Sequence, residues 1–213
     1  MPAHVLQYRP DAAAQLDYLI VSQCSFILRA VEDVRGVSIS HSEQGRSEVE
    51  MLISKSSFLN QQKMGELQTQ QLRDHFLSGL LVHLRSIPIG MRVDAWIQGQ
   101  FPQLLSMQSV LAARQLQENQ GVLAESVRQW IPPRIFDATA AINAAFAVFW
   151  SELLGDDKLL LPYRASGYEQ KGRQLKMIFD QVPDSATHDR QLVDQWGEAL
   201  NLKTWYKWID NNQ

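Results

Sequence analysis

Apolar residues recur at helical spacing over most of the chain, which predicts a mainly α-helical fold of about seven to nine helices. One stripe predicts a helix over about 12–34 that ends before Gly36; its members are Leu16, Leu19, Ile20, Phe26, Ile27 and Ala30. A second stripe, spaced by four, predicts a long helix from a cap at Ser57 to about Arg85; it consists of Leu72, Phe76, Leu80 and Leu84. Pro88 and Gly90 are expected to break this second helix before a shorter one around Trp96.

The most apolar segment, 138–154, predicts an Ala-rich helix at the centre of the fold, with Asp137 as its N-cap. Its alanines allow neighbouring helices to approach closely, and its larger side chains fill volume. The length of about 17 residues is close to the minimum for crossing a bilayer. Because the segment carries Asn143, Ser151 and Glu152, we predict a buried core helix and no membrane contact.

One region has the alternating pattern of β-strands. Apolar and polar residues alternate over 37–41 and again over 48–54. The residues between them, 42–47, are typical of a turn and include Gly45. This pattern predicts one β-hairpin, at about residues 37–54, inserted between helices.

The chain length and composition favour one helical domain covering 1–213. The sequence has 213 residues, of which 45% are hydrophobic, enough for one sizeable core. Pro132-Pro133 is the strongest stop signal, so it is a possible hinge between subdomains 1–131 and 134–213.

Charge and cysteine content point to a cytoplasmic protein without a strongly basic surface. The net charge is −3, with no general excess of Lys and Arg that would attract nucleic acid or membranes. The single cysteine, Cys24, lies in an apolar run, which predicts a buried, unreactive thiol and no internal disulfide. The first residues lack the basic and apolar segments of a secretory signal.

The sequence lacks the common motifs of metal, phosphate and nucleophile sites. His75 and His83 are eight positions apart, roughly 12 Å along a helix, which is too far to share a metal ion. We therefore predict no metal, no cofactor and no catalytic residues. An enzyme whose site is assembled from distant residues ranks third among the possible functions.

The segment 188–209 resembles the helix-turn-helix pattern of DNA-binding proteins. A first helix would end near Leu200, Asn201 would take a left-handed turn, and Leu202 would anchor the core. Tyr206 and Lys207 would then lie in a second helix. The resemblance implies a DNA-associated regulator, which ranks second because few cations are available nearby to contact phosphates.

The leading prediction is a non-catalytic helical adaptor or regulatory subunit that acts through protein contacts. On a short helix Trp205, Tyr206 and Trp208 would span a wide arc, so at least one would be exposed or docked against a partner. Leu202, Trp208 and Ile209 are expected to anchor the chain end to the core. The predicted surface for an acidic partner, or for DNA in the alternative, is Lys203, Trp205, Tyr206 and Lys207. The identity of the partner and the oligomeric state stay open.

Overall fold

A computed structural model describes residues 10–32, 37–56 and 65–210. Within them the chain is mostly helical and contains one two-stranded antiparallel sheet, which confirms the predicted fold class. The α-helices are α1 Leu16–Glu32, α2 Glu43–Lys55, α3 Glu66–Gln100, α4 Leu105–Gly121, α5 Glu125–Arg128, α6 Pro133–Leu154, α7 Leu161–Ala165, α8 Glu169–Gln181 and α9 Asp189–Ala199. Short 3-10 helices are Pro10–Gln15, Pro102–Leu104, Asp157–Leu160, Ala186–His188 and Lys203–Trp205, and the strands are β1 Val37–His41 and β2 Tyr206–Asp210.

Helix α6 is the predicted Ala-rich central helix, and its position at the centre is confirmed. Nearly every side chain over 138–151 is buried, and α6 packs against α3, α4 and α8. The helix begins at Pro133, before the predicted cap at Asp137, because proline suits the first helical position. It ends at Gly155, which takes the left-handed conformation with φ 66°.

Helix α3 is one continuous helix, so the predicted break at Pro88 and Gly90 is wrong. Proline in a helix interior removes one backbone hydrogen bond, at a cost of about 3 kcal/mol. Pro88 lies in the buried half of α3, where apolar side chains before and after it pack in the core. This burial offsets the missing bond. The predicted cap at Ser57 lies outside the described residues.

The small sheet does not have the predicted second strand. β1 forms where the alternation predicts it, but it pairs with β2, in the register Val37↔Asp210 to His41↔Tyr206. Residues 43–55 are helical instead, so the assignment of 48–54 to a hairpin is wrong. Ser42 caps this helix by accepting a hydrogen bond from the Gly45 amide at 2.9 Å, and Val49 and Ile53 share its buried face.

The main hydrophobic core combines residues from both sides of Pro132-Pro133. Leu77 and Leu84 from α3 share it with Trp150 from α6 and Trp196 from α9. A smaller cluster around Val93, Ile97 and Leu104 adjoins α1. Pro132 and Pro133 mark the start of α6, and a hinge there stays a prediction.

A buried guanidinium connects three parts of the fold. Arg92 on α3 is only 1% exposed and donates to Asp189 Oδ1 at 2.7 Å. It also donates to the backbone carbonyls of Val182 and Pro183, at 3.0 and 2.9 Å. Arg29 on α1 binds the same Asp189 carboxylate through two nitrogens. Asp189 thereby joins α1 and α3 to the start of α9.

Helix α1 presents part of its apolar surface to solvent. Cys24 is exposed, so the prediction of a buried thiol is wrong. Ile20, Leu28 and Val31 are exposed on the same helix. The contacts of α1 with α3 and with the smaller core cluster therefore leave several of its apolar side chains uncovered. No helix of the described ranges is long and apolar enough to cross a membrane.

We expect Gly172→Ala to lower the free energy of unfolding by about 1–3 kcal/mol through overpacking. A Cβ at Gly172 on α8 would lie 2.6 Å from the Ala144 carbonyl carbon of α6. Gly79→Ala is the matched control, because a Cβ there has no atom within 4 Å among the described residues. It should stabilise the protein by about 0.5–1 kcal/mol. Urea unfolding measures both, and equal effects would contradict this packing.

Candidate functional site

The C-terminal segment turns where predicted but does not form a second helix. Asn201 has φ 57°, the left-handed conformation expected at the turn, and Leu202 is fully buried. After the turn the chain makes one 3-10 turn and then strand β2. The helix-turn-helix arrangement of 188–209 is therefore wrong, because the place of the second helix is taken by the partner strand of β1.

Two residues of the predicted partner surface lie in the core. Trp205 is 0% exposed, and its Nε1 donates to Glu48 Oε2 at 2.8 Å. Tyr206 is buried, and its hydroxyl donates to Asp194 Oδ1 at 2.9 Å. The expectation that Trp205 is exposed for recognition is wrong.

Strand geometry accounts for the exposure of the remaining residues. In a strand, neighbouring side chains face opposite sides. Trp208 is half-buried on the side of Tyr206, whereas Lys207 and Ile209 are exposed, so Ile209 is not the predicted anchor. Lys203 pairs with Asp194, which reduces its availability to an anionic partner.

Glu48 on α2 brings the chain end, α2 and α6 together. Its carboxylate accepts from Trp205 Nε1, from Arg134 Nη1 and from Gln44 Nε2. The Arg134 guanidinium also lies over the Trp205 ring, 4.6 Å from its centroid, and donates to the carbonyl of Asn201. Burial alone would raise the pKa of Glu48, but the hydrogen bonds outweigh it and hold that pKa below its ordinary value.

Arg134 also lines a cleft of about 1100 Å³. We call it the α6 cleft, since the first turns of α6 form its floor. Five segments contribute its lining, namely 52–56, 125–131, 133–141, 167–171 and 199–201. The turn at Asn201 forms one edge, so the predicted partner surface lies beside the cleft and outside it.

The charged side chains that line the cleft are mainly cationic. Lys55, Arg128, Arg134 and Lys171 face two carboxylates, those of Glu125 and Asp137. Arg134 is paired with Glu48, but Lys55, Arg128 and Lys171 have no carboxylate partner among the described residues. The cleft therefore carries an excess of positive charge.

The floor of the cleft is aromatic and apolar. Arg128 lies over the Phe136 ring at 5.3 Å, and this ring packs edge-on against Tyr168 with 6.1 Å between the centroids. The Tyr168 hydroxyl donates to Asp137 Oδ1; burial and this carboxylate together raise the pKa of Tyr168 to about 12. The hydroxyl stays protonated at neutral pH and offsets part of the negative charge of Asp137.

The position of α6 adds a positive potential. The amino-terminal end of a helix carries about half a unit of positive charge and attracts anions. Helix α6 begins at Pro133 with no side-chain cap, and its first residues line the cleft. The helix dipole and the cationic side chains therefore both make the potential in the cleft more positive. This potential, together with the apolar floor, suits a ligand with carboxylates and apolar groups.

Neither His75 nor His83 lines the cleft, and no group of three metal-binding side chains occurs within residues 10–32, 37–56 and 65–210. Comparisons of the chain with protein-family models, curated proteins and solved structures found no match.

We expect Glu48→Ala to lower the free energy of unfolding at pH 7 by about 1–3 kcal/mol, because Trp205 Nε1 loses its buried acceptor. Glu48→Gln keeps an acceptor and should cost less. Since the pKa of Glu48 is lowered on folding, its charge stabilises the protein above about pH 4.3. That contribution is lost as the pH falls through the lower folded-state pKa.

Denaturant unfolding between pH 3 and 7 measures both effects of the Glu48 substitutions. Glu43→Ala is the control, because Glu43 is exposed and its ion pair within the described residues is with Arg46, on the surface of α2. We expect it to change stability by less than about 1 kcal/mol. A Glu48→Ala variant as stable as Glu43→Ala would contradict the role of Glu48.

Proposed function

We propose that the protein is a non-catalytic helical adaptor or regulatory subunit of the cytoplasm that binds an acidic segment of a partner protein in the α6 cleft. The observation that carries this proposal is the cationic, aromatic-floored cleft at the start of the central helix. The proposal keeps the protein-binding function predicted from the sequence. It moves the binding surface from Trp205 and Tyr206 to the neighbouring cleft.

The size of the cleft favours a peptide over a small cofactor. Pockets for small molecules usually enclose about 300–1000 Å³ and surround most of the ligand. The α6 cleft exceeds this range and lies open between five separate chain segments. Such a shape accommodates several residues of an extended chain whose two ends continue into solvent.

The charge of the lining favours acidic residues in that chain. Arg128 and Lys171 lie on different segments, 125–131 and 167–171, so two carboxylates of one ligand could reach them separately. Arg128 is better suited to bidentate contact, and Lys171 acts as a point charge. Steering by these cations would also speed the encounter of the two proteins.

The apolar lining favours a bulky side chain beside the acidic residues. Leu52, Ile131 and Phe136 lie in the cleft between the cationic positions. Burial of an apolar anchor supplies most of the affinity in typical interfaces, while charge supplies orientation. The partner segment is therefore expected to combine acidic residues with Leu, Phe or Trp.

The alternative functions gain no comparable support. The DNA-associated alternative relied on a second helix, and strand β2 occupies that place. Lys203, one of the cations predicted to contact DNA, is paired with Asp194. An enzyme would need a nucleophile, acid or base next to a substrate site. In the α6 cleft, Tyr168 donates a hydrogen bond to Asp137, and its raised pKa keeps the hydroxyl protonated. This hydroxyl is therefore a poor candidate for a nucleophile or a base.

We expect the protein to bind a short peptide in which Glu alternates with Leu, and to bind the corresponding Lys–Leu peptide far more weakly. Affinity for the acidic peptide should fall with rising salt, because exposed charges are screened over about 10 Å at 0.1 M. The variant Arg128→Glu with Lys171→Glu should weaken binding by about tenfold or more. Fluorescence anisotropy of the labelled peptides measures these affinities.

The matched control is Lys158→Glu with Lys207→Glu, which makes the same change in net charge outside the cleft. Lys158 follows the far end of α6, and Lys207 is exposed on β2. This control should bind the acidic peptide like the wild type. Equal losses in the two double variants, with helicity unchanged, would rule out the cleft as the binding site.

A further inference from the structure

A second, smaller pocket lies where α1, α3, α4 and α6 converge, and it shares no lining residue with the α6 cleft. Its volume is about 250 Å³. Side chains at helical spacing face it from each side, with Tyr18 and Phe26 on α1 and Phe146 and Trp150 on α6. Asp94 on α3 completes the set and is the single charged residue of the described lining.

Asp94 is a buried carboxyl group with an incomplete set of partners. It is 8% exposed, and its Oδ1 accepts from the Tyr18 hydroxyl at 2.6 Å and from Gln108 Nε2 at 3.0 Å. Oδ2 accepts no hydrogen bond from the described residues and is not fully enclosed, so it is open to solvent or to a ligand, and no cation pairs with the carboxylate there. Burial raises the pKa of Asp94 to about 6, so the group still carries a charge at neutral pH.

An unpaired buried carboxylate is unfavourable unless a cation neutralises it. The two hydrogen-bond donors to Asp94, Tyr18 and Gln108, are both uncharged, so neither forms an ion pair with it. The contrast with Asp189 is direct, because that carboxylate is matched by Arg29 and Arg92. The environment of Asp94 therefore leaves room for a cation from outside the chain.

The aromatic lining favours an organic cation over a metal ion. Ammonium groups are attracted to the faces of Trp, Tyr and Phe rings, and quaternary ammonium ligands are recognised in this way. Four aromatic residues line the pocket, and Phe146 and Trp150 pack edge to face at 6.2 Å. A metal ion would need several more oxygen ligands than Asp94 supplies.

Trp150 adds a requirement for a hydrogen-bond acceptor. Its side chain is 1% exposed, and Nε1 has no hydrogen-bond partner among the described residues. Buried donors in folded proteins are almost always paired. A ligand with an oxygen near its cationic group would supply the missing acceptor while the ammonium group lies near Asp94.

We propose that this pocket binds a small amino alcohol, an organic ammonium ion that carries a hydroxyl group. The ammonium group is held by the Asp94 carboxylate and the surrounding rings, and the hydroxyl oxygen accepts from Trp150 Nε1. The pocket is smaller than most drug-sized sites, which fits a ligand of this kind.

Choline is the probe, and dimethylbutanol is its uncharged isostere, in which a carbon replaces the nitrogen. Isothermal titration of the full chain should show saturable choline binding and at least about tenfold weaker binding of dimethylbutanol, since the isostere lacks the cation–π and carboxylate contacts. Asp94→Asn should weaken choline binding to a similar extent. Asp17→Asn, which removes one exposed charge next to Tyr18, should leave it unchanged.

Trp150→Phe tests the hydroxyl contact separately. It keeps a ring and removes the donor, so it should weaken choline binding several-fold and weaken the binding of tetramethylammonium, which has no hydroxyl, by a clearly smaller factor. Equal affinity of the wild type for choline and dimethylbutanol, or no saturable choline binding, would overturn the proposal. The comparison of choline with dimethylbutanol uses the wild type alone, so it tests the proposed site even if Asp94→Asn does not fold.

Discussion

The candidate site depends on the hydrogen bonds that the Glu48 carboxylate accepts. This carboxylate accepts from Trp205 Nε1 on one side and from Arg134 on the other, and so fixes the end of the chain against α2 and α6. Without this acceptor, Trp205 would bury an unpaired donor and Arg134 would lose its position at the cleft. The hydrogen bond from Trp205 to Glu48 also positions the segment that leads into β2, and β2 then pairs with β1.

This arrangement explains why the aromatic chain end is structural while the neighbouring cleft is open. Trp205 and Tyr206 use their polar atoms on Glu48 and Asp194, so they offer no free donor to a partner. Arg128 and Lys171 lie on segments that contribute little to the core, and their charges stay available. In the proposed function, stability and recognition therefore depend on different residues that lie close together.

The sequence predicted the features that depend on local pattern. The helical periodicity, the central position of 138–154, strand β1 and the left-handed turn at Asn201 all follow from spacing and residue type. The features it did not predict depend on distant contacts. Residues 48–54 were predicted to form a strand because an alternating pattern and a helical pattern cannot be distinguished over seven residues. The hydrogen bond from the Gly45 amide to the Ser42 hydroxyl caps the helix that forms instead. Strand β2 and the α6 cleft arise from pairing across the whole chain, which no local pattern shows.

We propose that the α6 cleft, and not the surface of β2, binds an acidic partner segment. Hydrogen exchange of the protein, measured with and without the Glu–Leu peptide, distinguishes these two surfaces. We expect slower exchange over 125–138 and 167–171 in the complex, and unchanged exchange over 203–210. Protection confined to 203–210, with none at the cleft, would contradict it.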